Sequence, residues 1–448
     1  MAATSEDPGP IRIDVLDLDD PQATVAPDEH YVSAWVVGCR NGIPQAIAEF
    51  DLTADAARTQ EQLVTLRQAP TAPRTAGHAE VRDEQLPVIT VVIPSIVARL
   101  DDLRVCLDSL GRVDYPDAEI LLVDNRRVVP DPDPLPGLIA GRERVRSVRE
   151  PRPGISAARN AGWRAARGEI VAFTDDDVKL DPGWLRALGR RFVAEPELDA
   201  VTGLILPAEL DTPAQVWFER YYGGFSGERT FQPLTLGVGH GPVGRGRVTA
   251  RDVRGDAVRS FAIYGIGAYG AGANMAYRRR VLERCGEFDL ILGTGTPARG
   301  GEDLAALVDV LWDGGKVGYE PAAVAHHAHR RSEPELLKQM RGNGIGYTAM
   351  LVSRIRRDPG HGVALAAQLP LAAQRLLGQH LARLRGRSIS QRVQEQAGTG
   401  PLYPRTLAIE EIRGLISGPV AYWRSVRAGR TLARPDHSSQ PVTAAPPP

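Results

Sequence analysis

Short apolar runs alternate with helical segments between Leu86 and Leu206, and this alternation constrains the fold more than any other feature. The intervening segments carry apolar residues every three or four positions, the spacing of a helix with one buried face. Strands that alternate with helices predict a mostly parallel, doubly wound sheet covered on both faces. The strands are predicted at Val88–Pro94, Glu119–Val123, Arg144–Glu150, Glu169–Thr174 and Ala200–Leu206.

The segments before and after this α/β region differ in pattern. The N-terminal part predicts two strands, an Asn41-Gly42 hairpin turn with a return strand, and a helix over Ala54–Gln68. The glycine-rich stretch Gly223–Gly255 indicates a mobile excursion, and the chain after Pro334 has helical periodicity. We expect a disordered tail at 1–10, a small β-rich module at 11–85, a catalytic domain at 86–335, a helical region at 336–432, and a disordered tail at 433–448.

The composition excludes several classes of protein. The 448 residues carry 54 basic and 55 acidic side chains, so the chain is neither a basic nucleic-acid coat protein nor an acidic disordered chain. The three cysteines form no CxxC pair, which argues against a disulfide framework and a thiolate zinc site. The longest uncharged stretch, Ser260–Tyr277, is too short to span a membrane, and Met1–Pro10 has no signal-peptide pattern. We expect a cytoplasmic protein without a nucleic-acid partner.

Carboxylates follow two of the predicted strands. Asp124 ends the second strand, and Asp175-Asp176-Asp177 directly follow the fourth. Ligands bind at the carboxyl ends of strands in open α/β sheets, and three adjacent carboxylates are tolerated chiefly beside a cation or water. Alternation along an extended chain places Asp175 and Asp177 on one side. A solvated acidic turn explains the Asp triplet about equally well, and a simple turn explains Asp124 alone.

Three further clusters carry polar side chains that chemistry could use. Arg159 follows Ser156, a predicted helix cap, and could face a phosphate; a surface arginine is the common alternative. Glu302-Asp303 are predicted at a helix N-terminus, where they act as plain caps or as an ionised base. His327 and His329 alternate onto one face of a strand end, where one could bind a metal, although exposed polar residues show the same pattern.

These motifs together resemble a bacterial family 2 glycosyltransferase, an inverting enzyme with the GT-A fold. The resemblance covers about Leu86 to Arg331, and the motifs occur in the order typical of the family. They are Val91-Val92-Ile93-Pro94-Ser95, Leu122-Val123-Asp124-Asn125, Arg152-Pro153-Gly154-Ile155-Ser156-Ala157-Ala158-Arg159-Asn160, Phe173-Thr174-Asp175-Asp176-Asp177, Gly272-Ala273-Asn274-Met275, Gly301-Glu302-Asp303 and His327-Ala328-His329. The sequence departs from the family at Ser95–Arg99, where a Thr-Tyr-Asn or Thr-Arg-Asp type sequence is more usual.

The resemblance implies a role for each motif. Asp303 would be the general base, and Glu302 would contact the acceptor or the donor sugar. A divalent cation, Mn²⁺ or Mg²⁺, would be held by three residues: Asp175, Asp177 and His327. The nucleotide-diphosphate sugar would contact Pro94, Asp124, Arg159, Asp175 and Asp176.

The implied reaction transfers a sugar to the hydroxyl of a glycan, lipid-linked or small-molecule acceptor, as in cell-envelope polysaccharide biosynthesis. The cation would neutralise the leaving diphosphate, and the deprotonated acceptor would invert the anomeric carbon in one displacement. Two alternatives stay open. One is a degenerate GT-A domain that binds nucleotide or glycan without catalysis. The other is a nucleotidyltransferase, which shares the carboxylate–metal logic, although no glycine-rich phosphate loop with a lysine is found.

The basic C-terminal segment and four aromatic residues of the predicted catalytic domain lead to two further hypotheses. Residues 336–434 carry 16 bases and 4 acids, and Leu365–Leu384 with its flanking arginines could rest on the inner, anionic membrane surface. Packing against the catalytic domain is the simpler explanation of these helices. Four aromatic residues could stack on a sugar, although such residues are more often core: Trp184, Trp217, Tyr221 and Tyr222.

Overall fold

The computed structural model describes residues 9–72, 81–225, 229–368 and 403–432. The strands are β1 Ile11–Asp17, β2 Ser33–Arg40, β3 Ile43–Asp51, β4 Ile89–Ser95, β5 Ala118–Asp124, β6 Val145–Arg149, β7 Ile170–Phe173, β8 Val178–Leu180, β9 Leu198–Pro207, β10 Leu234–Val238, β11 Arg247–Arg251, β12 Ala257–Ala262, β13 Met275–Arg278 and β14 Lys316–His327. The α-helices include α1 Ala56–Arg67, α2 Leu100–Gly111, α3 Leu135–Ile139, α4 Ile155–Ala165, α5 Trp184–Ala194, α6 Pro213–Trp217, α7 Gly241–Arg245, α8 Arg279–Cys285, α9 Glu302–Trp312, α10 Glu333–Arg357 and α11 Arg405–Leu432.

The central sheet has the order β12-β11-β10-β14-β9-β13-β7-β4-β5-β6, with β8 paired to β14. Strands β7, β4, β5 and β6 are parallel neighbours, as the sequence predicts. The sheet as a whole is mixed, because β13 runs antiparallel between β7 and β9 and a three-stranded antiparallel extension follows β14. The β13 strand was not predicted, since its four residues are too few to show a period.

Helices cover both faces of the sheet and form two apolar cores. Every residue of β4 is buried, which explains why it reads as a continuous apolar run. Its Val92 contributes to the core on one face, with Leu307 of α9. Its Val91 contributes to the core on the opposite face, with Leu103 of α2 and Leu188 of α5. The carboxyl end of the strand is thereby held between two packed layers.

The prediction of a mobile excursion over Gly223–Gly255 is wrong for the described part of this stretch. Strands β10 and β11 lie within it and pair antiparallel. The buried residues alternate along both strands: Leu234, Leu236, Val248 and Ala250. This period of two is short and is interrupted by glycines. The high glycine content of the segment therefore predicts a loop, although the strands are present.

Two predicted helix starts are corrected by the structure. Helix α4 begins at Ile155 after Gly154, whose φ of 119° is accessible chiefly to glycine. Ser156 therefore lies inside the helix, where its hydroxyl donates to the carbonyl of Leu292 at 3.1 Å. The pair Asp181-Pro182 has the pattern of an N-cap followed by a proline at the first helical position, which predicts a second helix start there. Helix α5 instead starts at Trp184, because Asp181 accepts a hydrogen bond from the amide of Gly183 at 2.8 Å in a turn before the helix.

The N-terminal strands form a separate three-stranded sheet, with β1 parallel to β2 and β2 antiparallel to β3. The predicted Asn41-Gly42 turn is confirmed: both residues have positive φ, 50° and 74°, as a tight hairpin requires. Trp35 and Val37 pack on Leu206 and Val324 of the large sheet. This small sheet is therefore attached to the central strands β9 and β14 through a shared apolar cluster.

Helices α10 and α11 pack closely because glycines line their contact. A Cβ added at Gly344 would lie 2.3 Å from the carbonyl oxygen of Glu411, and one at Gly414 would lie 2.3 Å from that of Arg341. Pro419 interrupts the hydrogen bonds of α11, and the hydroxyl of Thr348 donates to the exposed Leu415 carbonyl at 2.9 Å. The two helices are thus held in one orientation.

Some sequence predictions fall where the structure gives no description. Residues 1–8, the segment 369–402 and residues 433–448 lie outside the described residues, so the predicted tails and most of the Leu365–Leu384 helix stay predictions. Of the helices in the described ranges, none combines the length and apolar character needed to cross a membrane.

Candidate active site

The carboxyl ends of three parallel strands bring the predicted polar residues to one edge of the sheet. Ser95 at the end of β4 lies opposite Asp124 at the end of β5. The triplet Asp175–Asp177 follows β7, which pairs with β4 on its other side. The strand ends that the sequence placed in one crevice are therefore neighbours in space.

Asp175, Asp177 and His327 form a cluster with metal-binding geometry. One carboxylate oxygen of each aspartate and one ring nitrogen of His327 lie within 4.8 Å of one another. His327 reaches the aspartates because the end of β14 pairs antiparallel with β8, opposite Val178. Two carboxylates and an imidazole are ligand types that Mn²⁺ and related divalent ions accept, so the donor set fits a divalent cation.

The Nδ1 atom of His327 is hydrogen-bonded to the backbone, so Nε2 is the ring nitrogen that can contact the cluster. Nδ1 lies 2.9 Å from the carbonyl oxygen of Ala328, and since a carbonyl only accepts, Nδ1 carries the proton. Nε2 lies 3.4 Å from Asp177 Oδ1 and faces the cluster. Such an outer hydrogen bond is what commonly orients a metal-binding histidine.

Two arginines compensate the charge of Asp177 in this structure. Arg99 lies 2.8 Å from one carboxylate oxygen and Arg330 lies 3.6 Å from the same oxygen. Burial alone would raise the pKa of Asp177, but His327 and Arg99 outweigh it and lower that pKa below its ordinary value. Both arginines escaped the sequence analysis. Their only signal was position, one in the loop after β4 and one directly after the histidine cluster.

Asp176 faces away from this cluster, as the alternation predicts. It accepts a hydrogen bond from the Ser95 hydroxyl at 2.6 Å and one from Arg99 at 3.3 Å. Burial raises the pKa of Asp176 to about 6. The loop Ser95–Arg99, where the sequence departs from the family pattern, therefore contacts both Asp176 and Asp177.

Asp124 is buried, and its carboxylate is occupied by a neighbouring arginine. Arg126 donates to both oxygens, at 2.8 Å and 2.9 Å, and also contacts Asp133 at 2.8 Å. Burial alone would raise the pKa of Asp124, but the hydrogen bonds and charge of Arg126 lower it. A base could reach this carboxylate only if Arg126 shared or released it. Pro94 is buried one residue before the end of β4.

Glu302 and Asp303 begin helix α9, next to the cluster. Asp303 Oδ2 accepts the amide hydrogen of Gly272 at 2.7 Å, which holds this carboxylate in place. Glu302 is only 5% exposed, and burial together with the charge of Asp303 raises the pKa of Glu302 to about 7. The sequence analysis placed both acids correctly at the helix N-terminus.

Arg159 connects the acidic helix start to the metal-binding cluster. Its guanidinium is 1% exposed and lies 2.7 Å from Glu302 and 3.1 Å from Asp175. It is the fifth residue of α4 and points into the protein interior, so both charged partners reach it without solvent between them. To make the contact that the sequence predicts, a phosphate oxygen of the donor would have to lie close to the Arg159 guanidinium.

The aromatic candidates divide into core and site-proximal residues. Trp184 is fully buried and donates its indole N–H to Asn274 at 2.8 Å, and Trp217 is also buried, so both are core. Tyr222 stacks on Phe218 with ring centroids 5.2 Å apart, while the side chain of Tyr221 lies outside the described residues. The sequence analysis missed Phe225, whose ring centroid lies 4.3 Å from that of His327.

An open α/β sheet with a carboxylate–imidazole cluster at its carboxyl edge defines a class of nucleotide- and metal-using enzymes. Residues 90–286 match the model of the family described as "Glycosyl transferase family 2". This segment of the chain is therefore a family 2 glycosyltransferase domain. Together with the observed sheet, the family match confirms the expected GT-A fold class.

Similarity to individual proteins is limited to parts of the chain. The protein y4gI of Sinorhizobium fredii is 41% identical over 106 residues, 23% of this chain and 12% of the relative. The O-antigen biosynthesis protein RfbC of Myxococcus xanthus is 32% identical over 167 residues, 37% of this chain and 12% of the relative. The chain thus spans about an eighth of these two relatives.

Among solved structures, the mannosyltransferase PcManGT from Pyrobaculum calidifontis, in complex with GDP-Man and Mn²⁺, is distantly similar. The similarity covers 74% of this chain and 87% of the other, with 18% identity and a TM-score of 0.42.

Proposed function

We propose that this protein is a metal-dependent inverting glycosyltransferase that moves a sugar from a nucleotide-diphosphate donor to an acceptor hydroxyl. The observation that carries the proposal is the cluster of Asp175, Asp177 and His327 beside the acidic start of α9. A metal-binding set for the donor and a carboxylate for the acceptor thereby lie on adjoining elements, linked by the buried guanidinium of Arg159.

The donor half of the site is assigned to residues at the strand ends. Asp175, Asp177 and His327 would hold a divalent cation such as Mn²⁺ or Mg²⁺, which when bound supplies positive charge to the leaving diphosphate. Pro94, Asp124 and Asp176 lie at the ends of β4, β5 and β7 and would line the nucleotide. Asp124 would accept a hydrogen bond from the base, with Arg126 moving aside or sharing the carboxylate.

The acceptor half is assigned to the start of α9. Asp303 would remove the proton from the acceptor hydroxyl, since the N-terminal end of the helix stabilises its negative charge and Gly272 orients it. Glu302 would contact the acceptor or the donor sugar. One displacement from the face opposite the leaving diphosphate would invert the anomeric carbon.

Arg159 would act as a positioning residue between the two halves, in addition to the phosphate contact that the sequence indicates. Arg159 pairs with a proposed metal ligand, Asp175, and with the acceptor-side Glu302. A shift of either carboxylate would therefore move the guanidinium and, through it, the other carboxylate. For the acceptor we propose a glycan, lipid-linked or small-molecule hydroxyl in cell-envelope polysaccharide biosynthesis, in line with the name of the O-antigen relative.

The donor site is tested by thermal stabilisation. UDP, dTDP, GDP and CDP are each added to the wild type and to Asp177→Ala, with and without Mn²⁺. A ligand that binds only the folded state adds about 2.7 kcal/mol of stability at a hundred times its Kd. We expect a metal-dependent shift for one nucleotide, lost in the variant. No shift with any nucleotide would instead indicate a degenerate domain.

The base is tested by turnover. Release of nucleoside diphosphate from the matching donor sugar, to water or to simple glycosides, is compared for the wild type and Asp303→Asn. We expect Asp303→Asn to keep the nucleotide shift and to lose about 10²–10⁴-fold in rate. Glu283→Gln, an exposed acid on α8, is the control and should change nothing. Wild-type turnover in Asp303→Asn would refute the assignment, and retained anomeric configuration in the product would refute inversion.

A further inference from the structure

The outward face of α11 carries an exposed apolar stripe. Its members, called the α11 stripe below, are Ile409, Ile416, Val420 and Trp423, with exposed fractions of 39%, 74%, 54% and 47%. At 3.6 residues per turn these positions lie within an arc of about 60°. Apolar side chains gathered on one exposed line differ from the scattered ones found on any protein surface, and they indicate a docking site.

The charges around the α11 stripe are positive. Arg413, Arg424 and Arg427 are exposed on the same side of the helix. Arg356 of α10 adds a fourth guanidinium, 4.5 Å from the ring of Trp423. Glu410 contacts Arg341 and Arg413 and offsets part of this charge, so the group of arginines around the stripe keeps a net positive charge.

The opposite face of α11 is held so firmly that the stripe cannot turn inward. A Cβ at Gly418 would lie 1.9 Å from the Thr348 hydroxyl and 2.6 Å from the carbonyl oxygen of Ile345. With the close contact at Gly414, this packing leaves α11 a single rotation about its axis. The exposure of Trp423 is therefore a property of the packed helix pair.

We propose that the α11 stripe and its arginines form a docking surface for an anionic phospholipid bilayer. A helix that lies in a membrane interface has an apolar line for the acyl region, basic residues for the headgroups, and often a tryptophan at the boundary. No described helix can cross a membrane, so this contact is peripheral. The proposal uses residues other than Leu365–Leu384 and does not depend on the proposed function.

Charge argues against a second copy of the chain as the occupant. In a symmetric dimer the same patch would face itself, which would bring Arg413, Arg424 and Arg427 of both copies together. Such like charges repel, whereas phosphatidylglycerol headgroups would neutralise them. A nucleic acid would satisfy the arginines but would leave the apolar stripe without a partner.

The docking surface is connected to the acceptor side of the candidate site through two packed helices. Helix α10, on which α11 packs, contacts the residue that precedes α9: a Cβ at Gly301 would lie 2.4 Å from the Gly346 carbonyl oxygen. The bilayer would therefore be two packed helices away from Glu302 and Asp303. An acceptor held in the membrane by a lipid would be presented to this side.

The test is co-sedimentation of the full chain with vesicles, without donor or acceptor. We expect binding to phosphatidylcholine mixed with phosphatidylglycerol, weak binding to phosphatidylcholine alone, and weakening by salt. Ile416→Ser with Trp423→Ser should weaken binding at least about tenfold, and Arg413→Glu with Arg424→Glu should do the same. Val128→Ser, equally exposed at 77% on a distant loop, is the control for the loss of a surface apolar group.

Two results would overturn the proposal. One is unchanged vesicle binding in the two double variants, with circular dichroism showing that they are folded. The other is a wild-type dimer in light scattering that Ile416→Ser with Trp423→Ser converts to a monomer, which would assign the stripe to a second copy. Because no sugar donor is present, either result leaves the proposed glycosyl transfer untouched.

Discussion

Arg159 donates a hydrogen bond to Glu302 across 2.7 Å, although 143 positions separate them in the sequence. The pair is buried, and the same guanidinium also contacts Asp175. Taking two charges out of water is tolerated only while each retains its partner. This pair therefore makes the integrity of the site depend on the packing of α4 against α9.

Replacing Arg159 by Gln should destabilise the protein by about 1–3 kcal/mol, because Glu302 and Asp175 lose a buried hydrogen-bond donor, while Glu302, whose pKa is about 7, can take up a proton. Arg159→Gln with Glu302→Gln should recover part of this loss, since Glu302 is then replaced by a neutral side chain while Asp175 still lacks its arginine. Urea denaturation of the wild type, both single variants and the double variant gives the coupling energy. Additive effects of the two substitutions would show that the pair is not coupled.

His327→Gln should weaken Mn²⁺ binding, measured by isothermal titration, by about 10–100-fold. The imidazole supplies one of three ligands in the cluster, and Gln offers a poorer one. His326→Gln is the matched control, because His326 is the adjacent residue and its side chain points to the other face of β14. Equal losses in the two variants would mean that the effect comes from the strand and not from the ligand.

The stability of the protein should fall as pH rises through the range set by Glu320. Burial raises the pKa of Glu320 to about 7 from an ordinary 4.5, with Arg191 opposing this shift. Between pH 4.5 and pH 7 the folded state then binds more protons than the unfolded state. The stabilising contribution of the protonated Glu320 is therefore present below about pH 4.5 and is lost as the pH approaches 7. The size is a few kcal/mol at most.

Glu320→Gln isolates this contribution. The variant should be as stable as the wild type near pH 4.5 and more stable near pH 7, because Gln resembles the protonated acid and keeps the acceptor for the Ala322 amide at 3.1 Å. Thermal denaturation across this range measures the difference. A difference between the two proteins that does not vary with pH would contradict the prediction.

Gly418→Ala should destabilise the protein by about 1–3 kcal/mol, because the new methyl group meets the Ile345 carbonyl oxygen and the Thr348 hydroxyl. The sign is informative, since glycine to alanine inside a helix normally stabilises by about 0.5–1 kcal/mol. Gly342→Ala on α10 is the control: its Cβ would meet nothing within 4 Å and should stabilise. Chemical denaturation of both variants compares them, and stabilisation of both would disprove the close contact.

The sequence alone predicted the features that depend on local period. The predicted strands β4 and β5 and the turn at Asn41-Gly42 agree with the structure to within one or two residues. A strand that is buried on both faces needs a run of apolar residues, and a tight hairpin needs particular turn residues, so both can be identified from neighbouring positions. The position of Glu302-Asp303 at a helix start belongs to the same class. So does the separation of Asp176 from the two aspartates beside it.

Contacts between distant segments were decided only by the tertiary structure. The three strands in and after the glycine-rich stretch form because β14 offers an edge to pair with, and no local window contains that edge. Arg99 contacts Asp177, and Arg159 joins Asp175 to Glu302, through approaches set by helix and sheet packing. A short stretch of sequence shows which side chains a segment carries and with what period they repeat. Which charge meets which depends on long-range packing, because ion pairs form wherever the fold brings their partners together.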